Sequence, residues 1–234
     1  MRKLFFYVLV SFFLLRTLSS ESQVIIDNLD LPAANDTFRL SLTGNLHGLD
    51  PAITGENITW VFTALTSNSQ TIDTFFNVAS TPVVYNVVFN NPLDQAHRAS
   101  FATRDFNSFN PIPQIQISET YNFSKVSASQ YTQVGMGAIV NGVATPVKYD
   151  PPVLLYSLPL QYNHLDSSIT SWGIPIPNLG YYGQTIKRVN IVDGYGSLIT
   201  SYGTYDVMRV KSLINISDTI FNDNYNMGFR IPRP

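Results

Sequence analysis

From Thr204 to Ile220 apolar and polar residues alternate, and this run limits what the chain can fold into more than any other. Met208, Val210, Ile214, Ile216 and Ile220 take the even positions, and Arg209, Lys211, Asn215, Ser217 and Thr219 the odd ones. Ser212, Leu213 and Asp218 break the pattern. Successive side chains leave a strand on opposite faces, so a period of two predicts a long strand with one face buried and one in water. On this reading Ile214 points into the core and Asn215 into solvent. Gly194 to Thr200 is a second β-prone run, and Ser201-Tyr202-Gly203 joins the two as a turn with glycine at a positive φ. The hairpin specifies an architecture and no chemistry.

The remaining chain reads in the same way. Gln23–Ile26 and Thr37–Thr43 are short strands, the second with Phe38, Leu40 and Leu42 on one face. Ile58, Trp60 and Phe62 share a face against Thr59, Val61 and Thr63, and Val61 suggests a second covering layer. Val83–Phe89 is apolar at nearly every position and follows Pro82, as expected of a central strand covered on both sides. Residues 90–114 lack periodicity and read as a long loop, a one-turn helix near 94–97 and the best internal boundary. Asn141-Gly142 separates two alternating runs, which predicts a hairpin with a type I′ turn. Asp150-Pro151-Pro152 ends the second run, Val153–Leu160 forms the next strand, and 163–178 is a loop. No stretch carries the three-and-four spacing of a substantial helix. About ten short strands predict an all-β fold, either an antiparallel β-sandwich or a curled, partly open β-barrel.

The first 22 residues read as a signal peptide. Arg2 and Lys3 precede an apolar run from Leu4 to Leu15, followed by small residues up to Ser22. That run is shorter than the ~20 residues of a membrane span. Residues 23–234 are then one β-rich domain, with net charge −4 once Arg2, Lys3, Arg16 and Glu21 are removed. This balance argues against a nucleic-acid partner. The chain has no cysteine, so its stability rests on a core for which 44% hydrophobic residues, 15 Phe and 13 Tyr are enough.

Two segments carry a resemblance. Asp193-Gly-Tyr-Gly-Ser-Leu-Ile-Thr-Ser-Tyr-Gly-Thr-Tyr-Asp-Val-Met-Arg-Val-Lys211 and Thr54-Gly-Glu-Asn-Ile-Thr-Trp-Val-Phe-Thr-Ala-Leu65 resemble recurring segments of secreted, mostly uncharacterised β-rich proteins of the Bacteroidota. That group often has an acidic residue after the tryptophan, where this chain has Val61. The resemblance implies export, to the cell surface or medium, with the periplasm second. Many of those proteins continue into a type IX secretion C-terminal sorting domain, which is not found in these residues, so a longer native chain is expected. No catalytic residue is carried over.

Site chemistry is sparse. His47, His97 and His164 lie far apart in expected loops, where solvated side chains are the ordinary case and no metal spacing is formed. No Gly-x-Ser-x-Gly elbow or phosphate-cradling glycine loop occurs. Catalytic, metal and cofactor residues are therefore assigned to none. Asp150, Asp166, Asp193 and Asp206 are the acids from which a glycan hydrolase would draw a pair, though acids near turns usually bond their own backbone. Asn222-Asp-Asn-Tyr-Asn226 lacks the glycine and glutamate of a calcium loop. Asn35, Asn57, Asn122 and Asn215 stand in Asn-x-Ser/Thr triplets, and Asp218-Thr-Ile220 resembles the Bacteroidota O-glycosylation triplet with Thr219 as acceptor.

Aromatic residues beside glycine are the candidate ligand contacts. Trp172, Tyr181 and Tyr182 would stack on sugar rings if exposed at turns, whereas Tyr and Trp as good β formers would simply cap a core. The expectation is a non-enzymatic exported binding or structural module, partnered by a glycan or another envelope protein. A glycan-active hydrolase and an envelope carrier of an apolar ligand are the alternatives.

Overall fold

The computed structural model describes residues 24–46, 48–105, 116–176, 180–222 and 226–233. The signal segment, His47, most of the Asn222–Asn226 ladder and the centre of the 90–114 stretch lie outside the described residues. The fold is all-β. Eleven strands form one curled sheet: β1 (Thr37–Leu42), β2 (Gly55–Val61), β3 (Ser69–Phe76), β4 (Phe101–Asp105), β5 (Ile117–Val126), β6 (Gln130–Val140), β7 (Val143–Ser157), β8 (Leu165–Ile176), β9 (Gly180–Thr200), β10 (Gly203–Asn222) and β11 (Met227–Arg233). The order is β1-β3-β4-β5-β6-β7-β8-β9-β10-β11 and the sheet does not close into a barrel. Pairing is antiparallel except where β2 joins β9 in parallel.

The opening hairpin is confirmed and longer than expected, because β9 and β10 stay paired from Gly180↔Asn222 to Thr200↔Gly203. Asn141 and Gly142 both have positive φ, 49° and 81°, as a type I′ turn requires. The two segments that carry the Bacteroidota resemblance lie side by side, since β2 pairs with Gly194–Ile199. Glycine is demanded there: at Gly196 (φ 152°) a Cβ would sit 2.0 Å from the Ile58 carbonyl oxygen.

The sheet curls so that β6–β7 face β8–β10. Met136, Val147, Tyr149, Val153 and Leu155 from one wall pack with Trp172, Ile174, Tyr182, Ile186 and Ile220 from the other. The outer side of the first wall is covered by a short helix, α1 (Val83–Phe89), whose Tyr85 and Phe89 are fully buried with Phe123, Val134 and Tyr121. Gly135 and Gly137 on β6 make room for those rings: a Cβ at Gly135 would lie 2.6 Å from Phe89, and one at Gly137 2.8 Å from Tyr85. Phe89 stacks on Phe123 at 4.0 Å.

Several expectations are corrected. Val83–Phe89 is a helix, not a strand. Tyr85 and Phe89, four apart, meet the sheet, while Val83 and Val87 face solvent, so packing overrides β propensity. Residues 163–178 are not a loop, because β8 occupies most of them. The Asp150-Pro-Pro152 break is absent, and β7 runs through it. Its prolines fall where the β6 ladder shifts register between Gly135↔Lys148 and Gln133↔Val153, so no partner there needs their missing N–H. β4 lies within the stretch expected to be a loop, and 94–97 is a turn, not a helix. β3 had no sequence signal, and Ile26 makes only an isolated bridge to Leu160. Phe38 and Leu42 are exposed on edge strand β1, and Val61, at 49% exposure, lies under no second layer among the described residues. Ile214 is 47% exposed, because β11 pairs with β10 only from Ile216 onward and leaves Ile214 on an open edge.

Candidate functional site

Strands β8–β11 are in register, so even residues of β8–β10 and odd residues of β11 share one inner face. Trp172 on β8 sits opposite Gln184 on β9, which sits opposite Asp218 on β10, and Asp218 opposite Ile231 on β11. The adjacent row is Ile174, Tyr182, Ile220 and Phe229. Across from Trp172, Gln184, Ile174 and Tyr182 of these rows, Met136, Val140, Val147 and Tyr149 complete a cleft of about 220 Å³, which Arg233 also lines.

Asp105 is the acid among the lining residues, and a second acid, Asp218, lies behind the wall. Asp218 has only 6% of its side chain exposed and is held from the two strands that flank its own, β9 and β11. Tyr182 Oη donates to its Oδ1 at 3.0 Å, and Gln184 Nε2 at 2.8 Å. Arg233 closes the arrangement, donating Nε to Oδ2 at 2.5 Å and Nη2 to Oδ1 at 2.9 Å. Burial, with Asp218 alongside, pushes the Tyr182 phenol up to about 12. Burial likewise raises Tyr149, whose ring stacks on Trp172 at 6.2 Å.

Trp172 is the exception in this satisfied network. It is 7% exposed, and its indole N–H is buried without a hydrogen-bond partner among the described residues. The other tryptophan, Trp60, donates its N–H to the Ile53 carbonyl at 3.2 Å. A buried donor with no acceptor is unfavourable by about 1–3 kcal/mol, so an orphaned N–H in a native fold calls for a physical reason.

The three aromatic candidates are separated. Trp172 and Tyr182 lie within strands β8 and β9, buried in the cleft wall with rings 5.5 Å apart in a T, and not at exposed turns. Tyr181 is 42% exposed on the opposite face, folded over Gly173 and Gly183. Thr219 is on that outer face as well, opposite Gly183 and Arg230, while Asp218 of its triplet is engaged by Arg233.

The four acids singled out by sequence are not brought together. Asp166 is buried, accepting from Asn190 at 2.7 Å and from the Ser157 amide. Asp193 pairs with Arg209. Asp150 and Asp206 are exposed. His97 is not a solvated loop side chain, since Nδ1 lies 3.0 Å from Asp94 and Nε2 3.0 Å from the Tyr149 carbonyl oxygen. His164 lies 3.8 Å from Asp166. Among the described residues no three His, Asp or Glu converge as a metal site. None of their helices is long and apolar enough to cross a membrane.

Sequence reasoning missed Asp218, Gln184, Arg233 and Tyr149. The available signal was Asp218 itself, an acid at a core-facing step of an otherwise apolar alternation. Compared with protein-family models, curated proteins and solved structures, the chain matches none.

Proposed function

We propose that this is an exported, non-enzymatic binding module that takes a small hydroxylated ring, such as one sugar residue of a glycan, into the cleft between its two walls. The observation that carries the reading is Trp172, which lines that cleft and whose buried N–H has no hydrogen-bond partner among the described residues. The cleft is smaller than the ~300–1,000 Å³ of sites for drug-sized ligands, which suits a single ring. Hydroxyls meet donors and acceptors in Gln184, Tyr182 and Arg233, and apolar ring faces meet Met136 and Val140. Export is supported by the N-terminal charged and apolar segments. Binding is favoured over hydrolysis because Asp218 has a fixed cationic partner in Arg233 and the other singled-out acids are dispersed.

The test is titration of the ¹⁵N-labelled protein with a panel of monosaccharides and disaccharides, following the two indole N–H resonances. The Trp172 signal is expected to move and the Trp60 signal to stay, since Trp60 already has its acceptor. If neither moves with any sugar at millimolar concentration, the reading fails.

A further inference from the structure

The cleft does not end at its polar wall. On the same inner face, register places Ile174, Tyr182, Ile220 and Phe229 in one row across β8 to β11, with Ile231 beside it opposite Asp218. Ile174 and Tyr182 line the cleft, and Ile220 packs against its apolar cluster. Beyond them the row continues into the open: Phe229 is 53% exposed, Ile231 48% and Met227 50%. An alternating strand normally turns its apolar side to a core. Here Met227, Phe229 and Ile231 line one side of β11 and nothing among the described residues covers them.

We infer that the ligand is an amphiphile, a hydroxylated ring with an alkyl or aryl tail. The ring occupies the cleft at Trp172 and the tail lies over Ile220, Phe229 and Ile231. The occupant follows from continuity: one inner face carries hydrogen-bonding groups at Trp172, Gln184 and Arg233 and unbroken apolar residues from Tyr182 outward. From Tyr182 to Phe229 is two strand spacings, about 10 Å, which a medium-length alkyl chain crosses. A purely polar ligand would leave the stripe in water, and a purely apolar one would leave the Trp172 donor unanswered. The inference rests on the cleft reading above and specifies its ligand class.

The experiment compares methyl glucoside, octyl glucoside below its micelle concentration, and octanol, each titrated into the full chain and into a Phe229→Ser, Ile231→Ser double variant. Both substituted residues are about half exposed, so the variant is expected to fold, which its melting curve checks. Octyl glucoside is expected to bind at least about tenfold more tightly than methyl glucoside, the gain supplied by burying some two methylenes. The double variant should lose that gain and still bind methyl glucoside. Equal affinity for the two glucosides, or a gain that survives the double variant, overturns the amphiphile inference and leaves the cleft reading standing. No Trp172 response to either glucoside overturns the inference, and none to any sugar of the panel removes the cleft reading as well. Octanol binding that shifts β11 and leaves Trp172 unmoved overturns the inference by separating tail from ring. A dimer that the double variant dissociates also overturns it, because a second copy then covers the stripe.

Discussion

The two faces of this sheet are buried by different chemistry. Beneath α1 the outer side of β5 and β6 is dry and aromatic, with Phe89, Tyr85, Phe123 and Val134 fully enclosed and glycines on β6 bringing rings against backbone. The inner face of β8–β10 buries Asp166, Thr170, Asn190 and Asp218. The difference traces to β7, whose ladder with β8 is a single pair, Asp150↔Ser171. Polar side chains stand in for the missing rungs. Thr170 donates to the Pro151 carbonyl at 2.9 Å, Asn190 to the Leu155 carbonyl at 2.7 Å, and Asp166 accepts from the Ser157 amide at 3.0 Å. A complete ladder lets a face be apolar, whereas a split one calls for buried polar groups. The cleft opens along this second kind of surface.

The largest effect should come from the dry side. Phe89→Ala removes a fully buried ring and is expected to lower stability by about 3–5 kcal/mol in urea unfolding. Val87→Ala, on the same helix at 65% exposure, should stay within about 0.5 kcal/mol. Comparable losses at the two positions would mean that residues 83–89 are buried on both sides, as a central strand is.

On the polar side Asp218→Ala is expected to lose about 3 kcal/mol, because Arg233 and Tyr182 keep their burial and lose their acceptor. Asp206→Ala, at an exposed position of the same strand, should be close to neutral. A second readout separates this network from simple packing. The Tyr182 phenol, pushed to about 12 first by burial and then by Asp218, should ionise at lower pH in the variant while its burial contribution remains. An unchanged phenolate titration would remove Asp218 from the network.

The sequence made part of each surface readable and concealed the rest. Where apolar residues face a core, as in β9–β10 and at Asn141-Gly142, period two and turn chemistry led to the right pairing. β8 hid because its pattern is inverted: Leu165 and Ile169 face solvent at 65% and 59% exposure, while Asp166 and Thr170 face inward. A hydrophobicity pattern cannot show that a polar residue is buried to serve a neighbouring backbone. The helix was missed for a related reason. Its seven residues are β-branched or aromatic at six positions, and only the glycine floor on β6 selects the helical form. Of the site, Trp172 and Tyr182 were legible as aromatics beside glycine. Their burial, and the role of Arg233, depended on contacts far apart in the chain.

The smallest expected effect lies where the turn at 94–97 is tied to β7, next to Tyr149. Asp94 accepts from Lys148 Nζ at 2.6 Å and from His97, and these partners hold its carboxyl at about 2, below the ordinary 3.8. A carboxyl depressed in the folded state contributes stability that is complete above its unfolded value and is lost as pH falls through the folded one. The window is therefore between about pH 4 and pH 2. Both partners are partly exposed, Lys148 at 42% and Asp94 at 25%, so screening keeps the contribution within about 1 kcal/mol. Lys148→Met removes the larger cause and leaves His97 in place. Melting temperature followed from pH 6 to pH 2 should show the wild type losing its advantage over Lys148→Met inside that window, and less steeply at high salt. Parallel curves would show that Asp94 ties the turn to β7 by geometry alone, without a charge contribution to stability.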